Sequence, residues 1–294
     1  MQAPIYPVKD KPALGLRLEG REKAIVISDL HIGFESQLAE KGVTVPPQTQ
    51  NLLRSVLSVA KDQKASRLIF VGDVKASEAK SYAEEWQDVP TFFDSLLSEG
   101  FSVDVIPGNH DGGLELMLPS GVNFHSPRGM IIKVEDGSRI GLFHGHAWPA
   151  PDLFSADFLV IGHNHWAVEL KDQLGARARA PVWVVSKVNR EQMVSSFLQF
   201  SSIQFDDPMR KFQELFGETP NDPTVISMPA FNPFLRGRPL NPFNGTDYGL
   251  GPLIKEKALQ IDEAEVFMLD GTYLGKVSQL PSLLVLGRRG AFER

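Results

Sequence analysis

Five short clusters of histidine, aspartate and asparagine occur in the first part of the chain. They are Asp29-Leu30-His31, Gly72-Asp73, Gly108-Asn109-His110-Asp111, His144-Gly145-His146 and Gly162-His163-Asn164-His165. Their side chains offer imidazole nitrogens, carboxylate oxygens and an amide oxygen, which suit Mn, Fe or Zn better than Ca or Mg. Because the chain has 0 cysteines, thiolate metal sites and disulfides are excluded. The clusters therefore predict a metal site built from nitrogen and oxygen ligands.

Each cluster directly follows a short apolar run that is typical of a buried strand. The runs are residues 24–28, Arg67–Val71, Ser102–Ile106, residues 140–143 and Phe158–Ile161. In open α/β sheets the carboxyl ends of strands line the ligand crevice, so loops that are distant in sequence converge there. In extended backbone, residues two apart point to the same side. We therefore expect Asp29 to share a cavity with His31. His163 and His165 form a second such pair.

Each cluster taken alone is a weak signal. Gly72-Asp73 is typical of a turn after a strand, and a lone histidine is usually a structural residue. However, six of the 7 histidines fall in these clusters, and only His125 stands apart. Turns alone do not account for so many histidines beside Asp and Asn at strand ends. The joint pattern favours a metal site.

The elements between the clusters predict the fold. Helical patterns in residues 50–61 and 82–99 separate the first three strands, which gives a β-α-β-α-β order. Asp136-Gly137 and Asp270-Gly271 each stand between two strand-like runs, which is typical of antiparallel hairpins. Parallel and antiparallel pairs together predict an α/β fold of the α+β sandwich type, with two mixed β-sheets packed face to face and flanked by helices.

The last third of the chain has a different composition. Residues 220–251 are rich in Pro, Asn, Gly and Phe and cannot form a regular helix or a central strand. We expect this segment to wrap over the main body and to lead into a last hairpin. The predicted division is a main domain of residues 1–200 and an extension of residues 201–294 packed on it. Whether the extension contributes strands to the main domain is left open.

Composition limits the function classes. The chain of 294 residues carries a net charge of −6, which argues against a protein that mainly wraps nucleic acid by counterion release. No apolar run approaches the roughly 20 residues that a membrane helix needs. The opening residues show no basic region followed by an apolar stretch. We therefore expect a cytoplasmic protein that does not interact with membranes.

The order D-x-H, G-D, G-N-H-D, H-G-H, G-H-x-H resembles the calcineurin-like metallophosphoesterase superfamily over residues 24–165. Residues 29–35 and 72–75, together with residues 229–231 and Asn241, also resemble the archaeal phosphoesterases related to the double-strand-break-repair exonuclease subunit. The superfamily resemblance implies a two-layer β sandwich flanked by helices, a dinuclear metal centre and hydrolysis of phosphate esters. The main domain would then be a metallophosphoesterase domain.

The resemblance also implies a role for each cluster. It assigns one divalent ion to Asp29, His31 and His165, and the other ion to Asn109, His144 and His163. Asp73 would bridge the two ions. In this chemistry a hydroxide shared by the ions attacks phosphorus in line, and His110 is the general acid for the leaving alkoxide. We expect two divalent metal ions as cofactors, Mn²⁺ first, with Zn²⁺, Fe²⁺ and Ni²⁺ as alternatives.

Three residues of the clusters have open alternatives. Either His144 or His146 could reach the second ion; the resemblance favours His144 and leaves His146 as a supporting residue or a substrate contact. Asp111 either orients His110 or closes a turn. Lys75 stands where many superfamily members carry an acidic or amide residue, and it either binds a substrate phosphate or is a solvated surface lysine.

Two later features could bind substrate. A basic stretch after the last cluster contains Arg177 and Arg179, which either guide a polyanionic substrate or protect exposed strand edges by charge. Phe231, Phe234 and Phe243 either stack on bases or anchor an irregular segment to the core. Both alternatives stay open for each set.

The sequence therefore predicts a metal-dependent phosphoric ester hydrolase. The first hypothesis is a phosphodiesterase with nuclease-like substrates such as DNA, and the second is a phosphodiesterase of nucleotides or other small molecules. A third hypothesis is a non-catalytic scaffold that binds a repair ATPase, and homodimer formation is a further alternative. The presence of every inferred ligand together with His110 counts against the scaffold.

Overall fold

The computed structural model describes residues 3–78, 82–172, 174–241 and 249–280, and the backbone of residues 284–285. Its helices are α1 (Phe34–Glu40), α2 (Thr49–Gln63), α3 (Glu85–Ser98), α4 (Arg190–Phe200), α5 (Pro208–Phe216) and α6 (Pro252–Lys255). Two of them begin at side-chain caps, because Asn189 and Asp207 accept hydrogen bonds from the backbone N–H groups of Gln192 and Arg210. Among these described helices, none has both the length and the apolar composition required to span a bilayer.

The first sheet has six strands in sequence order. They are β1 (Ile5–Pro7), β2 (Leu14–Arg17), β3 (Lys23–Ile27), β4 (Arg67–Val71), β5 (Ser102–Ile106) and β6 (Val122–Phe124). Strands β1 to β3 pair antiparallel, whereas β3 to β6 pair parallel. Helices α2 and α3 form the connections between β3, β4 and β5, as the β-α-β-α-β pattern predicts.

The second sheet has ten strands within the described ranges. They are β7 (Met130–Lys133), β8 (Arg139–Leu142), β9 (Phe158–Ile161), β10 (Trp166–Lys171), β11 (Arg177–Lys187), β12 (Thr224–Ser227), β13 (Arg238–Pro239), β14 (Glu265–Met268), β15 (Tyr273–Lys276) and β16 (Leu284–Val285). Strands β8, β9 and β12 are parallel neighbours, and β11 pairs antiparallel with β10, β12 and β14. The two predicted hairpins, β7–β8 and β14–β15, are confirmed.

The two sheets pack face to face. One buried cluster contains side chains of both sheets, for example Val26 and Ile69 from the first and Leu142 and Val160 from the second. Helices α2 and α3 cover the outer face of the first sheet, and α4 and α5 cover the outer face of the second. Each fully buried large apolar side chain contributes roughly 1.5–3 kcal/mol. The predicted fold class, two mixed sheets flanked by helices, is confirmed.

The described residues beyond residue 200 belong to the same layers. Strand β12 lies between β9 and β11 in the second sheet. After β12 the chain crosses to the first sheet, where the Phe231 N–H donates to the Ser28 carbonyl at 2.9 Å and Asn232 Nδ2 donates to the Leu30 carbonyl at 2.8 Å. Phe231 is buried against the first sheet and its helices, which fits an anchoring role. Phe243 lies outside the described residues.

Candidate metal centre

The five clusters meet at one end of the sandwich. They follow β3, β4 and β5 of the first sheet and β8 and β9 of the second, so both sheets contribute loops from their strand ends. The loops interlock, because the Asp29 N–H donates to the Gly72 carbonyl at 3.1 Å and the His31 N–H donates to the Asp73 carbonyl at 2.9 Å. The convergence that the strand pattern predicts is therefore present.

Among the residues that the structure describes, two groups of side chains could each hold a metal ion, and Asp73 belongs to both. One group consists of Asp29, His31, Asp73 and His165. The other consists of Asp73, His144 and His163. Within each group, the potential ligand atoms lie within 4.8 Å of one another. The two groups coincide with the two predicted ligand sets, apart from Asn109, whose amide is a different kind of ligand.

The carboxylates and imidazoles of these groups face each other closely. His144 Nε2 lies 3.1 Å from Asp73 Oδ2, and His165 Nε2 lies 2.9 Å from Asp29 Oδ1. His31 Nε2 lies 3.5 Å from the same Asp73 oxygen that faces His144. One oxygen of Asp73 is thus shared by histidines of both groups.

Three of the four buried histidine nitrogens that lack a well-aligned hydrogen bond among the described residues belong to the two groups. They are the Nε2 atoms of His31, His144 and His165. Buried polar atoms are nearly always satisfied, so an unsatisfied set beside buried carboxylates calls for an explanation. For His144, Nδ1 donates to the Val71 carbonyl at 3.0 Å, which leaves Nε2 to face Asp73. Divalent cations would satisfy all three nitrogens, so these residues fit the metal ions that the resemblance implies.

The backbone of the ligands is left-handed rather than extended. Asp29, His31, Asp73, His163 and His165 have φ values of 60°, 45°, 50°, 71° and 47°. The extended geometry that we used to pair residues two apart is therefore wrong, although the pairs do converge. A non-glycine residue in this region costs on the order of 1–3 kcal/mol and persists only where the surrounding structure holds it, which is typical of functional sites.

Burial and charge set the protonation of the site. Burial lowers the pKa of His31 to about 3, and burial together with His144 lowers the pKa of His163 to about 3. Both imidazoles are therefore neutral near neutral pH, as metal binding requires. Burial opposes the shift at His144, but the Asp73 carboxylate outweighs it and raises the pKa of His144 to about 9. The place beside Asp73 that the His144 imidazole occupies thus strongly favours a positively charged group.

The two carboxylates are held in the ionised form. Burial alone would raise the pKa of Asp29, but His165 and His144 outweigh it and keep this pKa below its usual range. The pKa of Asp73 is lowered in the same way, because His144 and His31 outweigh burial. Ionised carboxylates, together with the neutral imidazoles of His31 and His163, form a ligand set that can bind a cation.

His110 lies at the edge of this group. Its backbone N–H donates to Asp73 Oδ1 at 3.0 Å, and its Nδ1 lies 2.6 Å from the Ala76 carbonyl oxygen. A carbonyl can only accept, so Nδ1 carries a proton. His110 Nε2 lies 3.2 Å from Glu78 Oε1. The tautomer and the orientation of this ring are therefore fixed by its neighbours.

A cavity of about 740 Å³ opens above the ligands. Asp73, Asn109, His110, His163 and His165 line its polar floor. Its walls include the apolar and basic side chains of Phe34, Leu38, Val43, Phe234, Arg236 and Leu250. The exposed Asn109 reaches this cavity, so its position is compatible with the predicted ligand role.

The positions of Asp111 and Lys75 bear on two alternatives from the sequence. Asp111 closes a turn, because its carboxylate accepts hydrogen bonds from the N–H groups of Gly108 at 2.7 Å and Lys75 at 3.1 Å. Burial, with Asp73 nearby, raises the pKa of Asp111 to about 6. Lys75 is fully buried and its Nζ donates to Ser77. Both predicted roles of Lys75, a phosphate contact and a solvated lysine, are therefore wrong.

His146 lies behind the second group of ligands. Its ring centroid is 5.3 Å from that of His144 and 6.1 Å from that of His163. Burial and His144 lower the pKa of His146 to about 4. Its Nδ1 is buried without a hydrogen-bond partner in the described part of the chain. His146 is thus close to the ligands but is in neither of the two groups.

A second cavity of about 480 Å³ adjoins the first. The two cavities share His165, Leu235, Arg236 and Gly237, so they lie side by side, and we refer to them together as the groove. Arg177 and Arg179 line the second cavity from β11 and are exposed. Arg177 Nη1 pairs with Glu169 Oε1 at 3.1 Å, and Arg179 Nη1 donates to the Gly237 carbonyl at 2.9 Å.

Sequence reasoning missed several residues around the centre. Ser28 Oγ lies 2.6 Å from Asp29 Oδ2, and Glu78 and the buried Glu85 lie around the loop that carries Ala76. Glu78 has the one usable signal, since it is an acidic residue shortly after Gly72-Asp73. Ser28 and Glu85 have no local signal, because a serine at a strand end and a glutamate in a first helical turn are common.

The comparisons with known proteins give limited information. A scan against protein-family models finds no match, and a search of curated proteins finds none. Among solved structures, the chain is similar to the nuclease MPE of Pseudomonas putida, with 15% identity and a TM-score of 0.47 over 90% of this chain and 97% of that chain. It is also similar to YfcE, a phosphoesterase from E. coli, with 22% identity and a TM-score of 0.34 over 50% of this chain and 72% of that chain. Neither similarity assigns a function.

The close packing at Gly108 generates a prediction. A Cβ atom on Gly108 would overlap the backbone nitrogen and Oδ1 of Asp73, whereas a Cβ on Gly112 would meet Glu78 O at an ordinary 3.6 Å. We expect Gly108→Ala to lower the free energy of unfolding by about 1–3 kcal/mol and to weaken metal binding, since Asp73 must move. Gly112→Ala is the matched control. Urea denaturation and calorimetric titration with Mn²⁺ measure both effects; equal behaviour of the two variants would contradict the prediction.

Proposed function

We propose that the chain is a metal-dependent phosphoesterase whose centre holds two divalent ions. The observation that carries the proposal is Asp73, which belongs to both potential metal groups and faces His31 and His144 from the same oxygen. A shared carboxylate holds two cations near each other against their mutual repulsion, as two-metal hydrolases require. The buried, unsatisfied histidine nitrogens around it support the same conclusion.

The ligands divide between the two ions as the resemblance implies. Asp29, His31 and His165 would hold one ion, Asn109, His144 and His163 the other, and Asp73 both. When bound, such ions lower the pKa of water and neutralise charge on phosphoryl oxygens. We propose Mn²⁺ as the metal, because carboxylate, amide and imidazole ligands together suit it.

His110 is proposed as the general acid. Its Nδ1 proton is held by the Ala76 carbonyl, so the proton available to a leaving oxygen is the one that the imidazolium carries on Nε2. The ring lines the same cavity as Asp73 and Asn109, which is where a phosphate ester would be held. His110 therefore protonates a leaving alkoxide that is otherwise a poor leaving group.

The groove favours a phosphodiester within a longer polyanion. It extends from His165 past Arg236 to Arg177 and Arg179, so negative groups beyond the scissile phosphate would meet positive charge. Phe234 is 40% exposed at the cavity over the ligands, where it could contact a base. We therefore propose single-stranded nucleic acid as the first substrate class to test, with small phosphodiesters as the alternative.

The bridging role of Asp73 can be tested by its removal. We expect Asp73→Ala to lose both bound metal and hydrolysis of a nitrophenyl phosphodiester, because no other described residue is shared by the two groups. Elemental analysis after dialysis measures the metal, and turnover is measured with Mn²⁺ after chelator treatment. The exposed Asp94→Ala is the control. Full activity of Asp73→Ala, or an inactive wild type with every divalent metal, would disprove the proposed function.

The role of His110 predicts a different result. His110→Ala should keep its metal but lose turnover of an alkyl phosphodiester by on the order of 100- to 10,000-fold. The loss should be much smaller for a nitrophenyl ester, because that leaving group needs little protonation. Steady-state kinetics with the two esters measure the difference. Unchanged turnover of the alkyl ester would exclude His110 as the acid.

The groove predicts a dependence on substrate length and salt. The double variant Arg177→Glu/Arg179→Glu should bind single-stranded DNA more weakly and should lower the steepness of log affinity against log salt by about 0.7 for each phosphate that the arginines no longer neutralise. The effect on a small phosphodiester should be much smaller. Arg210→Glu, on the distant helix α5, is the matched control. Identical DNA affinities in the variant and the wild type would contradict a role for this groove.

A further inference from the structure

The loop of residues 75–78 holds the ring of His110 from both sides. The Ala76 carbonyl lies 2.6 Å from Nδ1, and Glu78 Oε1 lies 3.2 Å from Nε2. Gln37 Nε2 of α1 donates to the same Ala76 carbonyl at 2.6 Å. The direction in which His110 points therefore depends on the placement of this loop.

A buried carboxylate lies beneath the loop. Glu85, in the first turn of α3, is fully buried. Its Oε1 accepts the Ser77 N–H at 2.9 Å and the Ala76 N–H at 3.2 Å. Its Oε2 accepts the Ser77 hydroxyl at 2.5 Å and the Tyr82 N–H at 3.1 Å. Three donors from Ala76 and Ser77 of the loop and one from Tyr82 thus converge on one side chain.

One of these hydrogen bonds determines the direction of the carbonyl that His110 contacts. The Ala76 C=O and the Ser77 N–H belong to the same peptide unit, which is planar and trans, so the two groups point in opposite directions. Glu85 holds the N–H end of this unit and His110 Nδ1 binds the C=O end. Rotation of the peptide would break both contacts together.

The fit around Glu85 is tight on its other side. A Cβ atom on Gly33 would lie 2.8 Å from Glu85 Cγ, so the carboxylate occupies space that only a glycine leaves open. Gly33 follows His31 in the first ligand loop, and its φ is +90°. Glu85 therefore packs under two loops of the centre. In the described part of the chain, none of its hydrogen bonds joins it to a proposed metal ligand.

We propose that Glu85 is the positioning residue for the general acid, and that it acts on His110 through the Ala76–Ser77 peptide. This inference rests on the proposed function. A buried carboxyl group is costly unless it is hydrogen-bonded, and here the hydrogen bonds that satisfy it are those that fix the loop. Displacement of a catalytic group by about 1 Å costs on the order of 100-fold in rate, so the fixed loop contributes to turnover.

The test is Glu85→Gln, which keeps the shape but replaces one accepting oxygen by a donor that cannot bind an N–H. We expect turnover of an alkyl phosphodiester to fall by about 10- to 100-fold, with KM and Mn²⁺ affinity within about 2-fold of the wild type. For a nitrophenyl ester the loss should stay below about 3-fold, since general acid catalysis contributes little there. The exposed neighbour Glu84→Gln is the matched control.

A double variant separates positioning from general support of the fold. In the His110→Ala background, Glu85→Gln should cause no further loss with the alkyl ester, because the group that it positions is gone. Should Glu85→Gln fail to fold, Ser77→Ala removes one of the four hydrogen bonds and should show the same dependence on the leaving group with a smaller loss.

Two results would overturn the inference. One is an equal loss with both esters, and the other is a full additional loss in the His110→Ala background; either would make Glu85 a purely structural residue. Neither result would affect the proposed function, which fails if the wild type hydrolyses no phosphate ester with any divalent metal or if Asp73→Ala keeps full activity.

Discussion

The whole site depends on two ionised carboxylates, those of Asp29 and Asp73, which are buried close together. Asp29 and Asp73 are almost completely excluded from water, and burial of such charge is costly unless it is compensated. The compensation comes from imidazoles and backbone donors of several loops: the His110 N–H serves Asp73, and the His163 N–H serves Asp29. The remaining negative charge faces the unsatisfied histidine nitrogens, which is where cations belong.

The sandwich makes this concentration of charge possible. Loops from parallel strands of both sheets end at one edge, so no single loop has to supply more than a few ligands. Left-handed backbone at five of the ligands turns the side chains inward within very short loops. Hydrogen bonds between neighbouring loops then hold these strained residues, as those between Asp29 and Gly72 and between His31 and Asp73 show. Backbone strain is thus confined to the ligand loops, and the rigid sheets that carry these loops hold it in place.

The sequence was most informative where potential metal ligands coincide with the ends of predicted strands. The clusters around Asp29, Asp73 and His163 could be placed correctly because apolar runs mark strands and turn residues mark their ends. The local backbone could not be predicted, since nothing in the pair Asp29 and His31 distinguishes extended from left-handed geometry. Lys75 was misplaced for a different reason: its ammonium is satisfied by Ser77 inside the loop that Glu85 holds, and periodicity contains no information about how that loop is buried.

The position of β12 affects how the protein can form during synthesis. This strand separates β9 from β11, and the chain just after it binds the first ligand loop through the Phe231 N–H. While only the first 200 residues have emerged from the ribosome, β9 and the His163 loop behind it lack a neighbour on one side, and their open edge can pair with other chains. Long-range closure of this kind is slow. The strand pairing around the His163 loop is therefore complete only after residues 224–232 have been synthesised, although every proposed ligand precedes them in the chain.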